Sequence, residues 1–268
     1  MADLLVRPHA PDAAGRILSI TPENAGWHYV GFDVYRLAPG QNITGGDPAR
    51  EFCLVIVSGH AVIGAGADAF GPLGERSSPF DGPPASVYVP AGLDWRVEAR
   101  SDAEIAVCSA PGKPGRHPAR LIAPADVRLS VRGTATNERH IRDILPETAE
   151  ADSLLVVEVV TPGGHWSSYP PHRHERDDPP AETLLEETYY HRLNPPHGFA
   201  FQRVYTDDRT LDETVAVEDR SVVKVPRGYH PVGAPHGYDL WYLNVMAGPR
   251  RQWCFYNDPA HEWILTKT

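Results

Sequence analysis

Short β-branched and aromatic runs, separated by turn-forming residues along the whole chain, most constrain how these 268 residues can fold. The 27 prolines and 23 glycines are scattered, and the stretches between them are rich in Val, Ile, Tyr and Trp. Because such residues interrupt helices and bound strands, the pattern is typical of an all-β sandwich or barrel. Long helical periodicity is scarce. The sequence therefore predicts an all-β chain with many tight turns.

The predicted strands fall into two groups. In the first half they are Trp27–Leu37, Glu51–Ser58, His60–Ala65, Ala85–Val89, Trp95–Ala99 and Glu104–Ala110. In the second half they are Leu154–Thr161, Trp166–His174, Glu187–Leu193, Phe199–Thr206, Glu213–Val217, Val222–Val225, Asp239–Met246 and Gln252–Asn257. Between the groups, residues 111–118 read as a Pro- and Gly-rich connector and Arg139–Leu145 is predicted as a short helix. We therefore predict two tandem β units, residues 1–125 and 126–268, although direct repeat similarity between them is weak.

Two imidazoles, His172 and His174, are two residues apart in a predicted strand and so project from the same face. A pair of histidines is an incomplete metal site, and two later segments offer further ligands. Glu187 begins a predicted strand, and His230 follows a strand and a Pro-Arg-Gly turn. The alternatives left open for the carboxylate and for the last histidine are Glu175, Glu182, Glu186 and His236.

The first half of the chain offers no equivalent group. The segments that would match the metal strands, residues 73–78 and 89–93, contain no histidine. We therefore expect residues 1–125 to form a β-barrel without a metal site, and residues 126–268 to form a barrel that carries the metal.

The order His-x-His, then Glu, then a Pro-x-Gly turn with His resembles the metal-binding signature of the cupin superfamily of small β-barrels. The phrases PPHRHERDDPPAETLLEETYYHRLNPPHGFAFQRVY, VPRGYHPVGAPHGYDLWYLN and QWCFYNDPAHEWI resemble the 5-deoxy-glucuronate isomerase family of inositol catabolism, and more distantly the uronate ketol-isomerases of pectin breakdown. GERSSPFDGPPASVYVPAG, in the first half, and RGTATNERHIRDIL, at residues 132–145, are similar to the same family, so the resemblance covers essentially the full chain. The resemblance implies a bicupin, two tandem jelly-roll-like barrels, that converts 5-deoxy-D-glucuronate to 5-dehydro-2-deoxy-D-gluconate in myo-inositol catabolism.

Three imidazoles and one carboxylate suit a borderline divalent ion, and we expect Zn(II), with Mn(II) or Fe(II) as alternatives. Such an ion can polarise a sugar carbonyl, which is the chemistry of aldose–ketose isomerisation. We expect Glu187, Tyr242 and Arg227 to be catalytic. Lys224 and Arg203 remain alternatives to Arg227 for binding the substrate carboxylate. The proton-shuttling base stays open between Glu182, Glu186, Tyr242 and a metal-bound hydroxide, and a hydride shift would need none.

Charge and composition exclude several classes of protein. The net charge of −10 and the pI of about 5.7 argue against nucleic-acid binding, which needs a basic surface. No apolar run of about 18 residues and no secretory signal pattern is present, so we expect a cytoplasmic protein with no membrane partner. We also expect a small-molecule uronic-acid substrate and a homo-oligomer. An Fe(II) dioxygenase and a non-catalytic sugar-binding cupin remain the alternative functions.

Overall fold

A computed structural model describes residues 3–266, so the outermost ends of the two predicted domains, residues 1–2 and 267–268, lie outside it. The chain divides into two compact units. The N-terminal unit comprises Pro8–Arg128 with Asp143–Val156, and the C-terminal unit comprises residues 3–7, 129–142 and 157–266. The predicted division between residues 125 and 126 lies close to the break between residues 128 and 129. Segment 3–7, however, belongs to the C-terminal unit, although the prediction places it within residues 1–125. Segment 143–156 belongs to the N-terminal unit, although the prediction places it within residues 126–268.

The described residues are almost entirely strands and turns. The strands are β1 (Leu5–Val6), β2 (Arg16–Ile20), β3 (Gly31–Leu37), β4 (Asn42–Gly45), β5 (Arg50–Ser58), β6 (Ala61–Ala65), β7 (Asp68–Leu73), β8 (Ser86–Val89), β9 (Trp95–Ala99), β10 (Ala103–Pro111), β11 (Arg120–Ile122), β12 (Arg128–Arg132), β13 (Arg139–Leu145), β14 (Leu155–Thr161), β15 (Trp166–Ser167), β16 (His172–Arg173), β17 (Glu186–Asn194), β18 (Phe199–Tyr205), β19 (Asp212–Glu218), β20 (Val222–Val225), β21 (Val232–Gly233), β22 (Asp239–Ala247) and β23 (Tyr256–Asn257). One short helix, α1 (Pro22–Ala25), and 3-10 turns at Pro79–Asp81, Pro124–Asp126, Ala135–Asn137 and Glu262–Thr266 complete the described elements. Within residues 3–266, no helix has the length and apolar character needed to span a membrane.

The N-terminal unit contains a six-stranded sheet, in the order β11-β8-β5-β10-β3-β2, and a four-stranded sheet, β4-β9-β6-β7. Apolar side chains from both sheets form one buried cluster, with Leu54, Val87 and Ile105 from the larger sheet and Ile63 and Val97 from the smaller one. Each side chain of this set is fully buried, as expected when β-branched residues alternate onto an inner sheet face. The unit is therefore a two-sheet β sandwich with a continuous core.

The C-terminal unit is built around a seven-stranded sheet, in the order β1-β20-β17-β22-β14-β13-β12. A four-stranded sheet, β15-β21-β18-β19, and the small pair β16-β23 complete it. The long strands β17 and β22 pair antiparallel from Glu186↔Ala247 to Asn194↔Asp239, and they are buried along almost their whole length. This pairing places the start of β17, and with it Glu187, beside the end of β22.

Most predicted strands are confirmed, but three segments differ from the sequence prediction. The short helix predicted at Arg139–Leu145 is wrong, because this segment is strand β13 in the seven-stranded sheet. Its buried residues, Ile141, Ile144 and Leu145, have helix-like spacing, and pairing within the sheet overrides that local pattern. The single strand predicted at Trp166–His174 is two short strands, β15 and β16. Within the predicted strand Gln252–Asn257, only β23 forms.

Candidate metal centre and active site

His172 and His174 lie at the short strand β16, which pairs with β23. The residue between them, Arg173, projects to the other side and is buried, with Nε 3.3 Å from Glu182 Oε1 and Nη1 3.0 Å from Tyr229 Oη. Because side chains alternate along an extended chain, anchoring Arg173 on one side fixes both imidazoles on the other. The local sequence thus presents the two histidines together, as the His-x-His spacing predicts.

Glu187 approaches the two histidines from strand β17, where it pairs with Val225 of β20 on one side and with Met246 of β22 on the other. Its carboxylate is buried, and Oε2 lies 2.9 Å from His174 Nε2 and 3.3 Å from His230 Nε2. A central strand of a sheet holds its side chains rigidly. Glu187 therefore meets two of the histidines at a fixed position.

His230 reaches the group because the chain turns sharply after β20. Gly228 makes this turn at φ +89, and a Cβ at that position would lie 2.6 Å from the carbonyl oxygen of Tyr205. The turn therefore requires glycine. One nitrogen of each of His172, His174 and His230 lies within 4.8 Å of the others, and no other such group occurs among residues 3–266.

The hydrogen bonds of His174 and His230 leave lone pairs that face a common point, as a bound cation requires. His174 Nδ1 donates to Leu185 O at 2.8 Å, and His230 Nδ1 donates to Gly228 O at 2.8 Å. In the neutral imidazoles this leaves both Nε2 atoms with lone pairs, and both face the Glu187 carboxylate. His230 Nε2 has no hydrogen-bond partner within the described residues although it is buried. Convergent lone pairs are unfavourable unless a proton or a metal ion lies between them, and backbone carbonyls that fix the outer nitrogens are typical of metal-binding histidines.

The pKa values of the histidines differ in the metal-free chain. Burial lowers the pKa of His230 to about 3, and burial together with the charges of His230 and His174 holds the pKa of His172 well below its usual value. Burial also acts to lower the pKa of His174, but the hydrogen bond and charge of Glu187 outweigh it and raise that pKa. Burial raises the pKa of Glu187 itself. His172 and His230 are therefore neutral and able to donate to a metal at pH 7, whereas the raised pKa values of His174 and Glu187 favour a proton between these two side chains.

The alternative ligands left open by the sequence do not join the group, and Glu175 Oε1 lies 3.8 Å from Nη1 of Arg173. The Glu182 carboxylate accepts hydrogen bonds from Arg173 and from the backbone N–H of Glu175. It therefore lies on the side of β16 opposite to the two histidines. Glu186 precedes Glu187 in the strand and so projects to the opposite face. His236 is exposed in the loop after β21.

A cavity of about 630 Å³ opens beside His172. Its lining includes Trp253, Phe255 and the two arginines Arg132 and Arg139. A smaller recess adjoins the same residues and is lined by Tyr189, Tyr242 and Asn244. The structure therefore places Tyr242 beside His172, where its hydroxyl is hydrogen-bonded to Ser167.

The structure does not bring Arg227 to this place. Arg227 is exposed, its Nη2 donates to Thr210 Oγ1 at 3.4 Å, and it lines neither cavity. Arg203 is paired with Asp212 at 2.7 and 2.8 Å, so its guanidinium is already occupied.

Two arginines that the sequence analysis does not predict, Arg132 and Arg139, line the cavity. Their segment contains no metal-ligand or catalytic pattern, although the phrase RGTATNERHIRDIL includes both arginines, and the short helix predicted at Arg139–Leu145 does not form.

Comparison with known proteins agrees with the fold. The KduI/IolB family model matches residues 4–264. A 5-deoxy-glucuronate isomerase of Geobacillus kaustophilus (strain HTA426) is 53% identical over 266 residues, which cover 99% of this chain and 96% of that protein. The 5-deoxy-glucuronate isomerase of Bacillus subtilis (strain 168) is 46% identical over 272 residues, covering both proteins fully.

Two solved structures are informative. An IolB-like protein of Salmonella typhimurium LT2 superposes with a TM-score of 0.95 at 52% identity, covering 98% of this chain and all of that one. The oxalate decarboxylase of Lactobacillus farciminis superposes with a TM-score of 0.67 at 13% identity, covering 100% of this chain and 91% of that one, and so shares the fold alone. Fold and relatives together define a bicupin enzyme of the isomerase class. The chain belongs to the KduI/IolB family.

Proposed function

We propose that this chain converts 5-deoxy-D-glucuronate to 5-dehydro-2-deoxy-D-gluconate, a step of myo-inositol catabolism, and that it depends on one divalent metal ion. The convergence of His172, His174, His230 and Glu187 beside a cavity is the observation that carries the proposal. The choice of substrate is supported by the names of relatives that are 46–53% identical over nearly the full chain, which are 5-deoxy-glucuronate isomerases. A cytoplasmic location and a homo-oligomer stay predictions.

The four residues would hold the ion as three neutral imidazoles and one carboxylate, a set that suits Zn(II), with Mn(II) or Fe(II) as alternatives. When bound, such an ion supplies Lewis-acid polarisation of the substrate carbonyl. His172 is the half-buried member of the group and lines the cavity, so it marks the side from which a sugar would approach.

The isomerisation of an aldose moves one hydrogen from C2 to C1 and one proton from O2 to O1, and it needs no external oxidant. Tyr242 is the ionisable side chain on the recess wall best suited to assist. Burial raises the pKa of Tyr242 to about 12. Its hydroxyl therefore keeps its proton at neutral pH and acts as a hydrogen-bond donor toward a substrate oxygen, with Ser167 and Asn244 fixing the surroundings.

An anaerobic assay tests the proposal. The purified protein is incubated with 5-deoxy-D-glucuronate without nicotinamide, and the ketose is followed by NMR. We expect turnover that a chelator abolishes and that added Zn(II) or Mn(II) restores. His174→Ala should be inactive, and His236→Ala, which removes an exposed imidazole, is the matched control. An absolute requirement for dioxygen would indicate a dioxygenase instead, and sugar binding without turnover would indicate a sensor.

A further inference from the structure

The charge of the cavity differs from that of the protein. The chain carries a net charge of −10, yet the residues lining the cavity include Arg132 and Arg139 and no aspartate or glutamate from the described part of the chain. The smaller recess has the same two arginines and likewise no acidic residue within residues 3–266. An anion entering this cavity therefore meets two positive charges without a competing carboxylate.

Neither arginine is neutralised by a carboxylate of the described residues. Arg139 is half-buried, and its Nη1 donates to the carbonyl oxygen of Asn137 at 3.0 Å. The guanidinium of Arg132 lies 5.8 Å from the centre of the Trp253 ring. By contrast Arg142, on the same strand as Arg139, has Nη1 2.8 Å from Glu158 Oε1. The half-buried Arg139 and the exposed Arg132, both without a carboxylate partner among the described residues, therefore keep most of their donors for a ligand.

The loop that precedes Arg139 holds its guanidinium in place. Gly133 has φ +78, and a Cβ there would lie 2.1 Å from Asn137 O and 2.8 Å from Arg139 Nη1. Asn137 Nδ2 donates to Tyr169 O at 3.2 Å, and His165 Nδ1 donates to Glu138 O at 2.9 Å. The loop therefore folds tightly onto its neighbours, which reduces the ordering cost of binding a ligand.

The arginines are also close to the histidine group. Arg132, Arg139 and His172 all line both cavities. The charges of Arg139 and Arg132 contribute to the lowered pKa of His172, although burial and the other two histidines contribute more. One cavity thus offers a metal-ligand group and a cationic group to the same bound molecule.

We propose that Arg139, assisted by Arg132, binds the carboxylate of the substrate and so selects uronic acids over neutral aldoses. This inference rests on the proposed function for its substrate. A uronic acid carries its aldehyde and its carboxylate at opposite ends, so a molecule that places its carbonyl at His172 can extend its carboxylate toward the arginines. A guanidinium binds a carboxylate through two parallel hydrogen bonds, which a neutral hydroxymethyl group cannot reproduce.

Direct binding tests the inference without catalysis. Saturable binding of D-glucuronate and of D-glucose to the full-length protein is measured by calorimetry for wild type, Arg139→Gln, Arg139→Lys, Arg132→Gln and Arg36→Gln. Arg36 is exposed on β3 of the N-terminal unit, so its variant makes the same change of charge outside the cavity. We expect Arg139→Gln to weaken glucuronate binding about 10- to 100-fold, from loss of a charge-assisted pair. Arg132→Gln should weaken it less, Arg139→Lys should retain part of it, and glucose binding should not change.

Kinetics separate the two proposals. Arg139→Gln should raise KM for 5-deoxy-D-glucuronate far more than it lowers kcat, with unchanged metal content and melting temperature. If the wild type does not turn over this sugar while Arg139→Gln still loses glucuronate affinity, the carboxylate site stands and the proposed function fails. Three results would each overturn the carboxylate site. Arg139→Gln could bind glucuronate as tightly as the wild type, or it could lose equal affinity for glucuronate and glucose. The wild type itself could fail to bind glucuronate.

Discussion

The number of protons released when metal binds is a direct consequence of the unequal pKa values in the histidine group. Metal displaces every proton from its ligands, so the number released equals the number held by the metal-free group. The lowered pKa values of His172 and His230 mean that these two release none near pH 6. The raised pKa of His174, which Glu187 causes, means that this pair releases about one.

The choice of pH makes this number decisive. Three histidines with unperturbed pKa values near 6.5 would each be about three quarters protonated at pH 6, and together would release about 2.3 protons. The structure predicts about one proton, and an apparent metal affinity that falls about tenfold for each unit of pH below 6. At pH 7 the unperturbed group would hold about 0.7 protons, which is too close to one to discriminate.

Calorimetry of Mn(II) or Zn(II) binding to the metal-free protein, in two buffers with different enthalpies of ionisation, measures the released protons. Glu187→Gln should bring the number toward zero, because burial then lowers the pKa of His174 without an opposing carboxylate. His236→Ala should release as many protons as the wild type. Release of two or more protons by the wild type at pH 6 would refute the reasoning.

Three further predictions concern ligands and stability. His174→Ala and Glu187→Ala should lose most of their metal by elemental analysis, and full occupancy in either would contradict the ligand assignment. Glu51→Gln should destabilise the N-terminal unit by about 2–4 kcal/mol in urea unfolding. The reason is that the buried Glu51 carboxylate accepts hydrogen bonds from three backbone N–H groups, including that of Leu154 at 2.6 Å. An unchanged unfolding midpoint would contradict this prediction. Burial lowers the pKa of His191 to about 3, below the value of about 6.5 for an unfolded histidine, so stability is lost as pH falls below 6.5. Between pH 7 and pH 5 the wild type should therefore lose about 2 kcal/mol more than His191→Gln, and equal losses would show that His191 is not the cause.

The histidine group shows which parts of a site can be predicted from a sequence. The His-x-His spacing, the strand at Glu187 and the turn at Gly228 are local features, and each fixes the direction of a side chain by alternation or by backbone conformation. Those features sufficed to choose residues that the structure brings together. Their binding of a metal stays a prediction.

The arginines show where sequence reasoning stops. Arg227 follows the end of β20 by two residues, but local sequence does not reveal which way an exposed turn faces. Arg139 belongs to a segment whose apolar spacing imitates a helix, and only its pairing in the sheet places it on the cavity wall. The division into units is equally hidden, because segment 143–156 groups with the N-terminal unit, where the backbone N–H groups of Asp152 and Leu154 donate to Glu51, about a hundred residues earlier in the chain.

Activity measured against metal occupancy tests the central claim most directly. The protein is stripped of metal with a chelator, placed under strictly anaerobic conditions with 5-deoxy-D-glucuronate, and titrated with Zn(II) or Mn(II) while ketose formation is recorded. Our account predicts no turnover without metal, a linear rise of activity with added metal, and saturation at one ion per chain. Full activity in the metal-free protein, or turnover only after dioxygen is admitted, would contradict a metal-dependent isomerase.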